Sequence, residues 1–376
     1  MKNGIVLVLT CTLAAPCLAD LSALVVIEPM ARKQALMVSR SSLETSLATL
    51  SGQKATVLAT DDLSDAMRAT RSGGHDVFIA PPQVVASALA HGYELLGSTE
   101  AEEQYLLVGA TRLGSAADMR RQRIYLPQQD SIFTYMARGM LTASGLSFKD
   151  LAHVEFARYR QAGLTSIALQ QSEGTVILRS DCEAWNQANP GLTKVLATSG
   201  PVPGGLSVAV KKDLSPELRG KLVRWFAASA PSCGVKQVAL RTEPAVYQRV
   251  AELGTFTPTS LPGATVVSAA EVKRLAGLGA VVVDTRNDKE YQQKHIPGAL
   301  HVPYVEKSLK DVAYDAKLDD FSGLARLNKA TPTIFHCNGA ECWKSYKASR
   351  AAMAAGFAKV YWFRGGLPEW DKPKAL

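Results

Sequence analysis

Apolar and polar positions change register block by block along this chain. Short apolar runs at 24–27 and 54–59 are separated by stretches with helical spacing at 32–50 and 63–71. Gly73-Gly-His-Asp-Val-Phe-Ile-Ala-Pro-Pro82 then reads as a buried strand closed by prolines, which cannot continue a hydrogen-bonded ladder. Residues 123–126 form another strand pattern, and a helical pattern follows at 136–144. Residues 214–226 read as a helix with Ser215 at its N-cap and Pro216 at the first helical position. Strand and helix alternate up to about residue 253, which predicts open α/β sheets covered by helices on both faces.

Residues 254–263, Gly-Thr-Phe-Thr-Pro-Thr-Ser-Leu-Pro-Gly, are rich in turn formers and read as a linker between units able to move relative to each other. Beyond it, Ser268-Ala-Ala-Glu271 has the capping-box spacing ahead of a helical stretch at 272–278. A fully apolar run at 281–283 has the character of a central parallel strand, with Asp284 and Arg286 just past its end. A second run at 333–335 breaks at Cys337 into a glycine-containing loop, and a helical pattern resumes at about Ser345.

Such a strand-to-helix turn aims free backbone amides at whatever the sulfur carries, favouring a thiolate, a persulfide or an oxyanion. An isolated cysteine there would be read as core packing. The surroundings reverse that reading. Upstream stand Val281-Val-Val-Asp-Thr-Arg286, Glu290-Tyr291 and His295-Ile-Pro-Gly-Ala299, and downstream stands Arg364-Gly-Gly-Leu-Pro-Glu-Trp370. In this order, over roughly 263–372, the pieces resemble the rhodanese (sulfurtransferase) family. The resemblance implies an α/β domain with a central parallel sheet and a nucleophile at Cys337 that stores sulfur as a persulfide. Asn338, Gly339, Ala340, Glu341 and Trp343 would line the active loop, and Lys344 would be its nearest cation. Asp284, Arg286 and His295 would support the loop.

Two departures bear on the chemistry. The loop is longer than the common sulfurtransferase form and contains a second cysteine, Cys342, which could resolve a persulfide, close a disulfide with Cys337, or itself be the nucleophile. Phosphatases related to rhodanese have long loops ending in an arginine that clamps phosphate, but Lys344 stands here, which disfavours phosphatase activity. Glu341 opposes a strongly anionic substrate.

Three segments of the first two thirds resemble the phosphate/phosphonate-type periplasmic solute-binding proteins. They are Gly74-His-Asp-Val-Phe-Ile-Ala-Pro-Pro82 with Leu89-Ala-His-Gly-Tyr-Glu-Leu-Leu96, Met119-Arg-Arg-Gln-Arg-Ile-Tyr-Leu-Pro127 with Asp130-Ser131, and the stretch from Pro201 to Arg219. The resemblance implies a two-lobed (type II) α/β unit, crossed twice by the chain, with a ligand between the lobes. Ser131, Thr134 and Tyr135, at a helix start, are the candidate anion contacts, although hydroxyls there also serve simply as caps. Arg158, Tyr159 and Trp185 are candidates to line the cleft.

The expected organisation is a signal peptide over 1–19, a solute-binding-like unit over 20–253, a linker over 254–263 and a rhodanese-like unit over 264–376. Lys2, the short apolar stretch from Ile5 and the ending Cys17-Leu-Ala19 fit a cleavable secretory signal, with Asp20 as the mature start and a periplasmic or secreted location. Pro16 stands where a lipoprotein signal needs a small residue. No later run is long and apolar enough for a membrane helix, so no membrane insertion is expected after cleavage.

Of six cysteines, Cys182 and Cys233 fall in the upstream unit and are a candidate structural disulfide in an oxidising compartment. The formal charge of +8 is scattered, without a polybasic run, which argues against nucleic acid as a partner and is compatible with anionic ligands. The expected partners are a small anion or sulfur-containing substrate and a thiol reductant or sulfur acceptor. No cofactor or metal is expected, since His295 has no ligand-spaced companion. Two functions stay open at this point: an exported sulfurtransferase with a fused anion-binding unit, or an anion-binding protein whose rhodanese-like unit docks or senses redox state without turnover.

Overall fold

The computed structural model describes residues 20–27, 40–157, 159–160, 162–228 and 243–371. The leader at 1–19, Arg158, Cys233 and the first part of the helical stretch at 32–50 lie outside the described residues.

The first lobe opens with β1 (Leu21–Val26), α1 (Arg40–Ser51), β2 (Ala55–Thr60), α2 (Leu63–Ser72), β3 (Val77–Ala80), α3 (Pro82–Ala90) and β4 (Tyr93–Glu103). At Gln104 the chain crosses into a second lobe of β5 (Tyr105–Ala110), β6 (Arg123–Pro127), α4 (Ile132–Ala143), β7 (His153–Ala157), α5 (Ala162–Ala168), β8 (Gly174–Leu178), α6 (Arg179–Ala188) and β9 (Thr193–Thr198). It then returns to the first lobe as β10 (Val202–Lys211), α7 (Pro216–Ala228) and α8 (Pro244–Glu252). The strand orders are β2-β1-β3-β10-β4 and β7-β6-β8-β5-β9, and β10 runs antiparallel between β3 and β4. This is the two-lobed architecture, crossed twice by the chain, that the resemblance to the solute-binding proteins implies.

Side-chain alternation explains why β1 reads as uniformly apolar. Leu24 and Val26 enter a core with α2 and α3, whereas Leu21, Ala23 and Val25 enter one with α1 and α7 on the opposite face. The first of these cores continues into the second lobe through Leu107, Ile124, Leu126, Tyr135 and Met136, so the two lobes share buried apolar surface.

The C-terminal unit consists of β11 (Thr265–Val266), α9 (Ala269–Gly277), β12 (Val281–Asp284), α10 (Asp288–Gln293), β13 (Leu300–His301), β14 (Thr333–His336), α11 (Trp343–Ala354), β15 (Val360–Phe363) and α12 (Gly366–Trp370). Its sheet, β11-β15-β14-β12-β13, is parallel throughout. Here too adjacent residues serve opposite cores: Val282 and Ile334 face one, Val283 and Phe335 the other. The register pairs Asp284 with His336, and this sets an acidic strand end beside the start of the cysteine loop. Ser268 and Glu271 form the capping box that starts α9.

Two helices begin earlier than their patterns suggest. Ser131 caps α4, which therefore includes Thr134 and Tyr135, and Cys342 occupies the N-cap position of α11. The first turns, Ile132 to Tyr135 and Trp343 to Tyr346, are buried on every side, so no one-sided apolar spacing marks either start.

Candidate active site

Cys337 leaves β14 directly and is joined to Cys342 by a disulfide across a Cα separation of 6.2 Å. Gly339 takes a positive φ of 90°, turning the loop so that the Cys342 amide donates to the Gly339 carbonyl at 3.0 Å. From the other side, Gly366 lies so close that a Cβ there would sit 2.1 Å from the Cys337 carbonyl oxygen and 2.7 Å from the Gly339 nitrogen. The next amide, of Leu367, donates to that same Cys337 carbonyl at 3.0 Å. Gly366 thus lets one backbone rest on another, while Gly365 leaves room for the Glu369 side chain.

Behind the loop lies a buried polar network. Arg286 grips the Asp284 carboxylate through Nε at 2.9 Å and Nη2 at 2.7 Å, and its Nη1 donates to Asn338 Oδ1 at 3.2 Å. Asn338 in turn donates to Glu290 Oε1 at 2.6 Å. The residue after Cys337 is therefore fixed by charge-assisted bonds, one to Arg286 just after β12 and one to Glu290 in α10. Burial works against the Asp284 carboxylate, but Arg286 and its surroundings hold the pKa below the ordinary carboxylate range. His336 is also fully buried, and burial pushes its pKa down to about 4, so the imidazole next to Cys337 is neutral.

The remaining loop residues divide between the two units. Lys344 is buried in the first turn of α11, where desolvation and then Arg68 lower its pKa. His295 is exposed; it stacks on Tyr291 with ring centres 4.0 Å apart and shares a hydrogen bond with the Tyr291 carbonyl. Trp343 donates from Nε1 to the Thr255 carbonyl at 3.1 Å. The Ala340 carbonyl accepts from both the amide and the hydroxyl of Thr257, each at 2.8 Å, and Arg364 donates to the Thr257 carbonyl at 2.8 Å. The segment read as a linker is thereby tied to the cysteine loop.

Side chains of the two-lobed unit complete the surroundings. Glu341 accepts from Arg71 Nη1 at 2.5 Å and from the Ser87 hydroxyl at 3.5 Å. Glu290 lies 3.8 Å from Arg68. Lys310, on the long connection before β14, bonds to the Asp130 carboxylate at 2.5 Å, and Ser64 donates to the same carboxylate oxygen at 2.8 Å. Burial would raise the pKa of Asp130, but Lys310 and the hydroxyl keep it low. Arg71 and Lys310 carry no local signature: one looks like an ordinary basic residue in a helix's last turn, the other like a surface lysine.

At the start of α4 the hydroxyls are committed locally. Ser131 Oγ accepts from the Thr134 amide at 3.2 Å and donates to the Pro127 carbonyl at 2.9 Å, while Thr134 Oγ1 donates to the carbonyls of Pro127 and Gln128 at 2.8 Å. Tyr135 is buried one turn into the helix; burial, followed by the charges of Asp130 and Glu341, raises its phenol pKa. Tyr159 is exposed and Trp185 packs beside the buried free thiol of Cys182. Among the described residues no group of three or more His, Cys, Asp or Glu side chains is placed to hold a metal ion.

Comparison with known proteins finds two families in succession along the chain. Residues 25–260 match the family described as ABC transporter, phosphonate, periplasmic substrate-binding protein, and residues 268–373 match the rhodanese-like domain. A thiosulfate:glutathione sulfurtransferase of Saccharomyces cerevisiae is 24% identical over 103 residues, 27% of this chain and 73% of that protein. The HTH-type transcriptional regulator Rv0324 of Mycobacterium tuberculosis is 32% identical over 105 residues, which is 28% of this chain and only 40% of the regulator's length. Among solved structures, XAC2383 from Xanthomonas citri bound to chloride ion superposes with a TM-score of 0.50 at 15% identity, covering 62% of this chain and 95% of that one, a likeness of fold. The chain therefore belongs to the phosphonate-type periplasmic substrate-binding family of ABC transporters and carries, after that unit, a rhodanese-like domain.

Proposed function

We propose that this is an exported protein, organised as units 20–253 and 264–376 joined by 254–263, that binds a small anion in its two-lobed unit and transfers sulfane sulfur through Cys337. The observation that supports the reading is the pairing of Cys337 with Cys342 inside one loop between β14 and α11, where the amides of the turn favour charge on sulfur.

A thiol reductant first opens the disulfide. The Cys337 thiolate then attacks the outer sulfur of a donor. With thiosulfate, a Cys337 sulfur–sulfur bond forms, the bond between the sulfane and sulfonate sulfurs breaks, and sulfite leaves with the electron pair. The persulfide passes its outer sulfur to an acceptor thiolate. Alternatively, the Cys342 thiolate attacks Cys337 Sγ, releases hydrosulfide and restores the disulfide. The name of the yeast relative supports thiosulfate as donor and a small thiol as acceptor. Membership of the substrate-binding family and the leader-like first 19 residues support export and an anionic ligand, for which Ser131, Thr134 and Tyr135 remain the proposed contacts.

One observation favours a second reading, a binding protein with a redox-sensing module. The disulfide loop is tied to the linker through Thr257 and to the first lobe through Arg71. Incubating the reduced protein with thiosulfate and measuring cyanide-labile sulfur separates the two. Sulfurtransfer predicts uptake that Cys337→Ser abolishes and Cys342→Ser spares. The reverse pattern would exchange the two roles, and a parent protein that takes up no sulfur would leave the sensing reading.

A further inference from the structure

We infer that Arg71, a residue of the substrate-binding unit, determines the charge of the sulfur donor accepted by the rhodanese-like domain, and that Glu341 occupies the place of the donor's anionic group until the loop opens. The inference rests on the sulfurtransferase reading.

Three observations carry it. First, Arg71 is placed at the cysteine loop: its side chain is 4% exposed, and Nη1 lies 2.5 Å from a carboxylate that belongs to the loop. A guanidinium buried this far in the substrate-binding unit would ordinarily be partnered by its own fold. Second, the pairing leaves Arg71 incompletely used. Its Nε is buried without a hydrogen-bond partner among the described residues, although a guanidinium presents a planar fork suited to two oxygens at once. An oxyanion such as the sulfonate end of thiosulfate presents several oxygens and can satisfy such a fork. Third, Glu341 is held mainly from outside its own domain, by Arg71 and the Ser87 hydroxyl, while its backbone sits between the two cysteines that must separate before sulfur can enter. Opening the disulfide frees the backbone that carries Glu341, and an anionic donor can then exchange with its carboxylate.

Arg68 is shared by Asp65 and Glu290, Arg71 pairs with Glu341, Lys310 with Asp130, and Glu306 with Lys347. A donor anion that takes Arg71 must displace the carboxylate already there. That carboxylate, of Glu341, is carried by the loop itself.

The experiment compares two donors of different net charge, the dianion thiosulfate and cysteamine persulfide, whose ammonium offsets its persulfide anion, on protein reduced beforehand and freed of reductant, with cyanide as the sulfur acceptor. The readout is the ratio of their KM values. Arg71→Gln should shift this ratio about tenfold against thiosulfate, and Arg71→Lys should restore part of it. Glu341→Gln should shift the ratio the other way, by lowering the KM for thiosulfate, and the gain should vanish in the Arg71→Gln, Glu341→Gln double variant. A thiosulfate KM indifferent to Arg71, or an equal rise for both donors, would overturn the assignment while leaving sulfur transfer intact. Failure of the parent to turn over either donor would overturn both.

Discussion

Asp130 of the second lobe and Lys310 of the rhodanese-like domain are joined by a buried ion pair of 2.5 Å, although 180 residues separate them in sequence. Ser64 of the first lobe donates to the same carboxylate oxygen, so both lobes and the rhodanese-like domain meet at one side chain. The contact between the lobes and the contact with the rhodanese-like domain therefore share a single charge.

Removing one partner should cost more than removing both. Lys310→Ala leaves the Asp130 carboxylate buried and uncompensated, with an expected loss of about 3–5 kcal/mol, and Lys310→Met with Asp130→Leu should recover most of it. Calorimetry checks this: the single variant should split or broaden the unfolding transition, and the double variant should restore it. Equal losses in both would mean that the pair contributes by attraction alone.

Gly366→Ala introduces a methyl group against the Cys337 carbonyl at a φ of +56°, a conformation that L residues seldom adopt. The loop or the segment after β15 must move. Destabilisation of about 1–3 kcal/mol is expected, together with faster reduction of the Cys337–Cys342 disulfide as its packing loosens. Alanine at Gly356, where a Cβ would meet nothing within 4 Å but φ is also positive, controls for backbone strain alone.

His336 should make the stability of the rhodanese-like domain depend on pH. Its pKa is about 4 when folded and near 6.5 when exposed, so between these values the unfolded chain binds more protons. Stability is then present in full above about pH 6.5 and falls as pH drops toward 4, by about 3 kcal/mol in total. His336→Gln should flatten this segment of the denaturation profile. Asp284, whose pKa is held below 3.8, adds its own loss only at lower pH.

A small anion bound between the lobes should raise the melting temperature by mass action, by about 2.7 kcal/mol of stability at a hundredfold excess over Kd. Phosphate, phosphonate, sulfate and thiosulfate are the probes. Because Ser131 and Thr134 now donate to backbone carbonyls, their use by a ligand requires those hydroxyl protons to turn. Ser131→Ala should then shrink the ligand-induced shift itself, whereas the lost helix cap, worth roughly 1 kcal/mol, lowers the free and bound protein alike. A shift unchanged in this variant would place the ligand elsewhere.

The sequence alone determined what depends on neighbours along the chain. Apolar runs marked β1, β2, β3, β6, β12 and β14, a serine and a glutamate three apart marked the start of α9, and a cysteine after an apolar run marked the loop between β14 and α11. The pieces Asp284, Arg286 and Asn338 were visible too, although not the bonds joining them. Only the tertiary structure decided which cations face that loop. Arg71 lies 270 residues from Glu341, and no periodicity or spacing relates two side chains that meet when separately folded units dock. It also decided how Ser131 and Thr134 use their hydroxyls, because a polar residue at a helix start has several acceptors within reach, and the folded backbone selects among them.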